Sequence, residues 1–157
     1  MRQEADPQSQ AAEIICARHG NAPAALIEIL HDIQDTEGAV APEALPVIAR
    51  ALNISRAEVH GVMSFYHDFR SEPAGRVEVK LCRAEACQSR GASALIESFC
   101  LRHGVALGET SRDGVTVEAV YCLGNCALSP AAMIDGELHG RLDARRLDAL
   151  VQEAVTR

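Results

Sequence analysis

A chain of 157 residues, 48% of them hydrophobic, suffices for one ordinary domain, or for a small one with a substantial extension, built around a real core. Its formal net charge of −7, with Lys and Arg scattered, argues against nucleic acid and against a polybasic membrane anchor. No apolar run approaches the ~18 residues of a membrane span, and MRQEADPQSQ lacks the basic flank and apolar stretch of a signal peptide, so a soluble, cytoplasmic protein is expected.

The first half reads as helices. AEIICARHG (12–20) has the spacing of an amphipathic helix closed by Gly20. APAALIEILHDIQDTEG (22–38) sets Leu26, Ile29, Leu30 and Ile33 on one apolar face and ends near Gly38. APEALPVIARALN (41–53) continues the pattern, with Pro42 near its start and Pro46 expected to disturb the first turn. In SRAEVHGVMSFYHDF, Ser55 and Glu58 have the spacing of a capping box. Val59, Val62, Phe65, Tyr66 and Phe69 then line one side; for the aromatics, core packing is the expectation and a docking surface the alternative. Glu4 and Asp6 read as a solvated tail, and residues 1–73 as an N-terminal helical bundle.

RSEPAGR (70–76) breaks the pattern, and the period changes from helical to alternating. RVEVKLC is a strand ending at Cys82, and SRGASALIESFCLRHG (89–104) a helix stopped by Gly104. GVTVEAVYC (114–122) is a second strand ending at a cysteine. AAMIDGELHGRL (131–142) holds a hairpin with Asp135-Gly136 at its turn. DARRLDALVQEAV (143–155) is a helix with Asp143 as N-cap. Strand, helix, strand, hairpin and helix over 74–157 point to a thioredoxin-like α/β domain, and the whole chain to an α+β protein. Pro130 is a candidate for the cis proline that such folds place before a strand.

The cysteines carry the chemistry. Reducing cytosol disfavours a disulfide framework, so clustered thiols point to metal or redox work. Cys82 and Cys87 form C-x4-C after the first strand; Cys122 and Cys126 form C-x3-C after the second. If the strands are parallel neighbours, their carboxyl ends bring both loops to one edge, where open α/β sheets bind ligands. Soft thiolates select zinc or iron–sulfur clusters, and the spacing leaves both open. The longer loops suit two irons better. Gly124 lets backbone approach the sulfurs, while Arg83, Arg90 and a helix N-terminus just after Cys87 would favour an anionic cluster. Cys16 and Cys100, on apolar helix faces, read as small buried hydrophobes. The six histidines share no ligand spacing. A dithiol oxidoreductase acting through Cys82 and Cys87 is weakened by their separation, because redox pairs usually stand as C-x-x-C.

The arrangement resembles the thioredoxin-like [2Fe-2S] ferredoxin family, which includes the E-type (24-kDa-type) subunit of NADH:quinone oxidoreductase and subunits of bidirectional hydrogenases and soluble NAD-dependent formate dehydrogenases. GVMSFYHDFR, GRVEVKLC, both cysteine pairs and MIDGELHGRL carry the resemblance. CRAEACQ and CLGNCALSP look closest to the gamma subunit of the formate dehydrogenases. The resemblance implies a [2Fe-2S] cluster on Cys82, Cys87, Cys122 and Cys126, one pair per iron. It also implies an electron-transfer subunit with no active site of its own, trading single electrons with a flavin. FMN and NAD would sit on a flavoprotein partner, and a molybdenum cofactor on a further iron–sulfur/molybdenum subunit. No G-x-G-x-x-G or P-loop occurs in this chain. The alternative of another class is a zinc-bound structural or interaction module.

Overall fold

The computed structural model describes residues 7–157. Glu4 and Asp6, read above as a solvated tail, lie outside the described residues. The chain divides between Pro73 and Ala74 into two compact units.

Among the described residues, the first unit holds four α-helices: α1 (Pro7–Arg18), α2 (Leu26–Glu37), α3 (Leu45–Leu52) and α4 (Arg56–Phe65). The apolar period marks only the part of α1 that buries Ala12, Ile15 and Cys16; the helix itself begins five residues earlier, at a polar turn opened by Pro7. Pro23–Ala25 form a 3-10 turn before α2, and Gly38 ends α2 at φ 81°, in the left-handed region that glycine adopts freely. α3 starts at Leu45 rather than at residue 41. Pro46 does not disturb it, because it stands in the first turn, where no backbone N–H is needed. Ser55 Oγ accepts from the Glu58 N–H at 3.1 Å and Glu58 Oε2 from the Ser55 N–H at 2.7 Å, a complete capping box. Ile29, Leu30, Ile33, Ile48, Leu52 and Val59 are the centre of this unit's core.

One expectation fails here. Val59 and Phe69 are buried, but Phe65 is 74% exposed and Tyr66 43%. At about 100° per residue, Phe65 lies roughly 120° round the helix from Val59, and α4 ends there, so Tyr66 leaves in extended conformation. The two rings meet edge to face at 5.1 Å.

The second unit is a five-stranded sheet in the order β2-β3-β1-β4-β5. Its strands are β1 (Val77–Cys82), β2 (Glu109–Thr110), β3 (Val115–Val120), β4 (Ala132–Ile134) and β5 (Glu137–His139). β1 runs parallel to β3 and antiparallel to β4, so it is central. Its alternating Val77, Val79 and Leu81 are buried with Ile96 and Phe99 of α6 (Ala92–His103) and Leu147 and Val151 of α7 (Ala144–Thr156). Asp143 caps α7, its Oδ1 accepting from the Arg146 N–H at 2.7 Å. The β4–β5 turn has Asp135 at φ 46° and Gly136 at φ 81°, the pair of left-handed residues that a tight hairpin needs. The helix expected over 89–104 is α6, which starts only at Ala92, after Gly91 at φ 87°; a short helix the sequence did not announce, α5 (Glu85–Ser89), precedes it. The Ser129–Pro130 bond is cis.

Candidate metal centre

Parallel pairing fixes where the cysteine loops begin. Cys82 ends β1 opposite Val120, the last residue of β3. The Arg83 N–H donates to the Val120 carbonyl at 2.8 Å, and the Cys82 N–H to that of Ala131 at 3.1 Å. Cys87 follows inside α5, not before a helix N-terminus as the sequence suggested; α6 starts only at Ala92, so its dipole does not begin at this thiol. Cys122 stands two residues past the end of β3 with φ 93°, an uncommon conformation for a side chain other than glycine's. Gly124, at φ 79°, turns the chain back and donates its N–H to the Cys122 sulfur at 3.4 Å. Cys126 then opens a 3-10 turn, Cys126–Leu128. Gly140 closes this loop from β5's end: a Cβ there would lie 2.7 Å from Leu128 Cβ and 2.8 Å from Asn125 Nδ2.

The four thiols come together as two unlike pairs. Cys82 and Cys87 are 3% and 2% exposed, among the small buried residues Ala92 and Ala131. Cys122 and Cys126 are exposed, their sulfurs 3.7 Å apart. Burial opposes ionisation of Cys82, but backbone N–H groups of Ala84, Leu123 and Cys122 and the side chain of Cys87 outweigh it and hold this thiol below its ordinary value. Cys87 is pushed up, first by burial and then by Cys82, against the pull of Ser129 and the Ala131 backbone. Cys126 is raised chiefly by its hydrogen bond to Cys122 and by Cys122's charge, with smaller contributions from Cys87 and Cys82. Cys126 thus feels the charge of the other three sulfurs and Cys87 that of Cys82, a repulsion that a cation relieves.

This donor set fits a thiolate-bound metal group. With metal–sulfur bonds of about 2.3 Å, two thiolates on one tetrahedral centre stand about 3.8 Å apart, and the Cys122–Cys126 separation matches that edge.

The model of the thioredoxin-like [2Fe-2S] ferredoxin family matches residues 12–155. The chain belongs to that family. The group such a family carries is a [2Fe-2S] cluster, and the zinc alternative loses its footing. The chain is 34% identical to the E 2 subunit of NADH-quinone oxidoreductase from Rhizobium meliloti (strain 1021), over 89% of this chain and 84% of the relative. With the E subunit of NADH-quinone oxidoreductase from Pseudomonas aeruginosa, identity is 37% over 74% of this chain and 71% of the relative. The crystal structure of NAD+-reducing [NiFe]-hydrogenase in the H2-reduced state contains a chain that superposes with a TM-score of 0.71 at 26% identity. That match covers 87% of this chain but only 23% of the hydrogenase chain. No helix among the described residues is long and apolar enough to cross a membrane.

Sequence reasoning named Arg83 and Arg90 near the sulfurs. Arg90 lines an open pocket of about 720 Å³ beside Cys126, together with Ser129 and Arg141. Arg141 and Ser129 escaped notice because the loops that bring them here are distant in the sequence. Cys16 is fully buried and Cys100 half-buried, each raised above the ordinary thiol value by burial.

Proposed function

We propose that this chain is an electron-transfer subunit of an NAD-linked oxidoreductase complex, holding one [2Fe-2S] cluster on Cys82, Cys87, Cys122 and Cys126, one pair to each iron. The observation that carries the reading is the gathering of two sulfur pairs beyond the carboxyl ends of two parallel strands. When bound, the cluster supplies a one-electron couple. The chain's own residues prepare the ligands: three backbone N–H groups favour the Cys82 thiolate, and the Gly124 N–H faces the Cys122 sulfur. Burial keeps water from Cys82 and Cys87, while Cys122 and Cys126 face outward toward a donor or acceptor.

The partner we propose is a flavoprotein subunit carrying FMN and NAD; the names of the relatives, subunits of NADH-quinone oxidoreductases, support a complex that handles NADH. The finer assignment is the gamma subunit of a soluble, cytoplasmic NAD-dependent formate dehydrogenase, with a molybdenum cofactor on a further subunit; CRAEACQ and CLGNCALSP support it. The second reading, an E-type subunit of NADH:quinone oxidoreductase or of a hydrogenase, is favoured by the relatives themselves. Residues 1–73 and 74–157 act as two domains, the second carrying the cluster.

Two measurements test this. The purified chain should be brown, bleach with dithionite and contain two irons per chain; a colourless protein would sink the electron-carrier reading. Copurification from the native host, with flavin and molybdenum analysis, distinguishes the parent complexes: molybdenum supports formate dehydrogenase, and its absence beside quinone- or hydrogen-linked subunits rejects it.

A further inference from the structure

One buried hydroxyl ties the two cysteine pairs together. Ser129 is 8% exposed. Its Oγ donates to the Cys126 carbonyl at 2.7 Å and accepts from the Cys87 thiol at 3.6 Å. We propose that Ser129 tunes the cluster: with Cys87 bound as thiolate, the Ser129 hydroxyl directs its hydrogen to the Cys87 sulfur and raises the reduction potential. This rests on the four-cysteine reading above.

The supply of hydrogens decides the direction of this bond. A metal-bound thiolate carries no proton, so between Oγ and Sγ the hydroxyl alone has a hydrogen to give. Two acceptors then compete for it, the Cys126 carbonyl and the Cys87 sulfur. The anionic one makes the stronger, charge-assisted bond. The carbonyl is not orphaned by the switch, because it also accepts from the Ser129 N–H at 3.4 Å, which removes the usual cost of leaving a polar group unpaired. Cys87 also has more to gain than Cys82. Cys82 draws on backbone N–H groups of three residues, whereas Cys87 has the backbone of Ala131 alone beside Ser129. A donor aimed at a ligand sulfur withdraws charge and favours the reduced, more negative state. Ser129 is thus a positioning and tuning residue, not a ligand.

The test compares the full chain, loaded with its cluster, as wild type, Ser129→Ala and Ser129→Thr. Iron and sulfide content and visible absorption come first, then the midpoint potential by spectroelectrochemical titration. Ser129→Ala should make reduction about tenfold less favourable, equivalent to about 59 mV for a one-electron couple. Ser129→Thr should keep the wild-type midpoint. The iron–thiolate stretches in resonance Raman should shift less on transfer from H2O to D2O in Ser129→Ala than in wild type. Equal midpoints in loaded wild type and Ser129→Ala would overturn the role of Ser129 and leave the ligand set standing. A wild-type chain that holds no cluster would overturn the ligand set, and this proposal with it. Should Ser129→Ala not load, Ser129→Val is compared with Ser129→Thr, which has nearly the same shape with a hydroxyl in place of one methyl; equal midpoints there overturn the proposal as well.

Discussion

Six thiols occur in this chain, and their surroundings sort them. Cys16 sits fully buried in α1 among apolar neighbours, and Cys100 half-buried on α6; burial raises both above the ordinary thiol value. Cys82, Cys87, Cys122 and Cys126 interact with one another instead. Serine at any of these four should therefore lose or perturb the visible absorption of the loaded protein, because hard oxygen replaces thiolate. Serine at 16 or 100 should leave the spectrum intact. A spectrum abolished by Cys100→Ser but not by Cys126→Ser would reverse the assignment. Cysteine spacing made this quartet legible in the sequence. Ser129 and Arg141 were not legible, since nothing local marks a residue whose neighbour arrives from another loop; Cys87 lies 42 positions from the hydroxyl it touches.

At the scale of elements, α6 and α7 are clamped by one carboxylate. Asp148 accepts from Arg102 Nε at 2.9 Å and Nη2 at 3.0 Å, and pairs with His103 Nε2 at 3.1 Å. Burial by itself would raise the Asp148 carboxyl, but its bonds to Arg102 and His103 hold it below the ordinary value. A group whose pKa is lower folded than unfolded stabilises the fold above the unfolded value, about 3.9 for Asp, and loses that contribution as pH falls through the folded one. Asp148→Asn should therefore be less stable than wild type in urea at neutral pH, and the gap should close below pH ~4. A gap independent of pH would point to lost packing rather than lost charge. Most element positions were legible because caps and periods agree, as with Ser55 and Glu58 at α4 or Asp143 at α7. β2 was not: two exposed residues, Glu109 and Thr110, have no period to read. Nor was the α5–α6 break, where a helical pattern runs across Gly91. Phe65 misled because an aromatic near a helix end carries the apolar signature of a core position without the geometry of one.

Across the whole molecule, the chain builds two separate cores. The helical unit closes around Ile29, Leu30 and Ile48; the sheet unit closes around Val79, Leu81 and Phe99. Ile48→Ala in the first core should cost about 2–5 kcal/mol of stability there. It should leave the visible spectrum of the loaded protein unchanged under native conditions, which thermal denaturation followed by circular dichroism and by absorbance would separate. Simultaneous loss of both signals at an equally lowered temperature would mean that the two cores melt as one.

The unequal exposure of the two sulfur pairs gives the proposed metal centre a front and a back. An alkylating reagent added to the metal-free protein should reach Cys122 and Cys126 first and Cys82 and Cys87 only as the fold opens, an order that peptide mass spectrometry after brief iodoacetamide treatment can read. The same asymmetry would make ageing directional: oxygen and chelators should reach a bound cluster from the loop after β3 first, so a partner seated on that loop would also act as its shield.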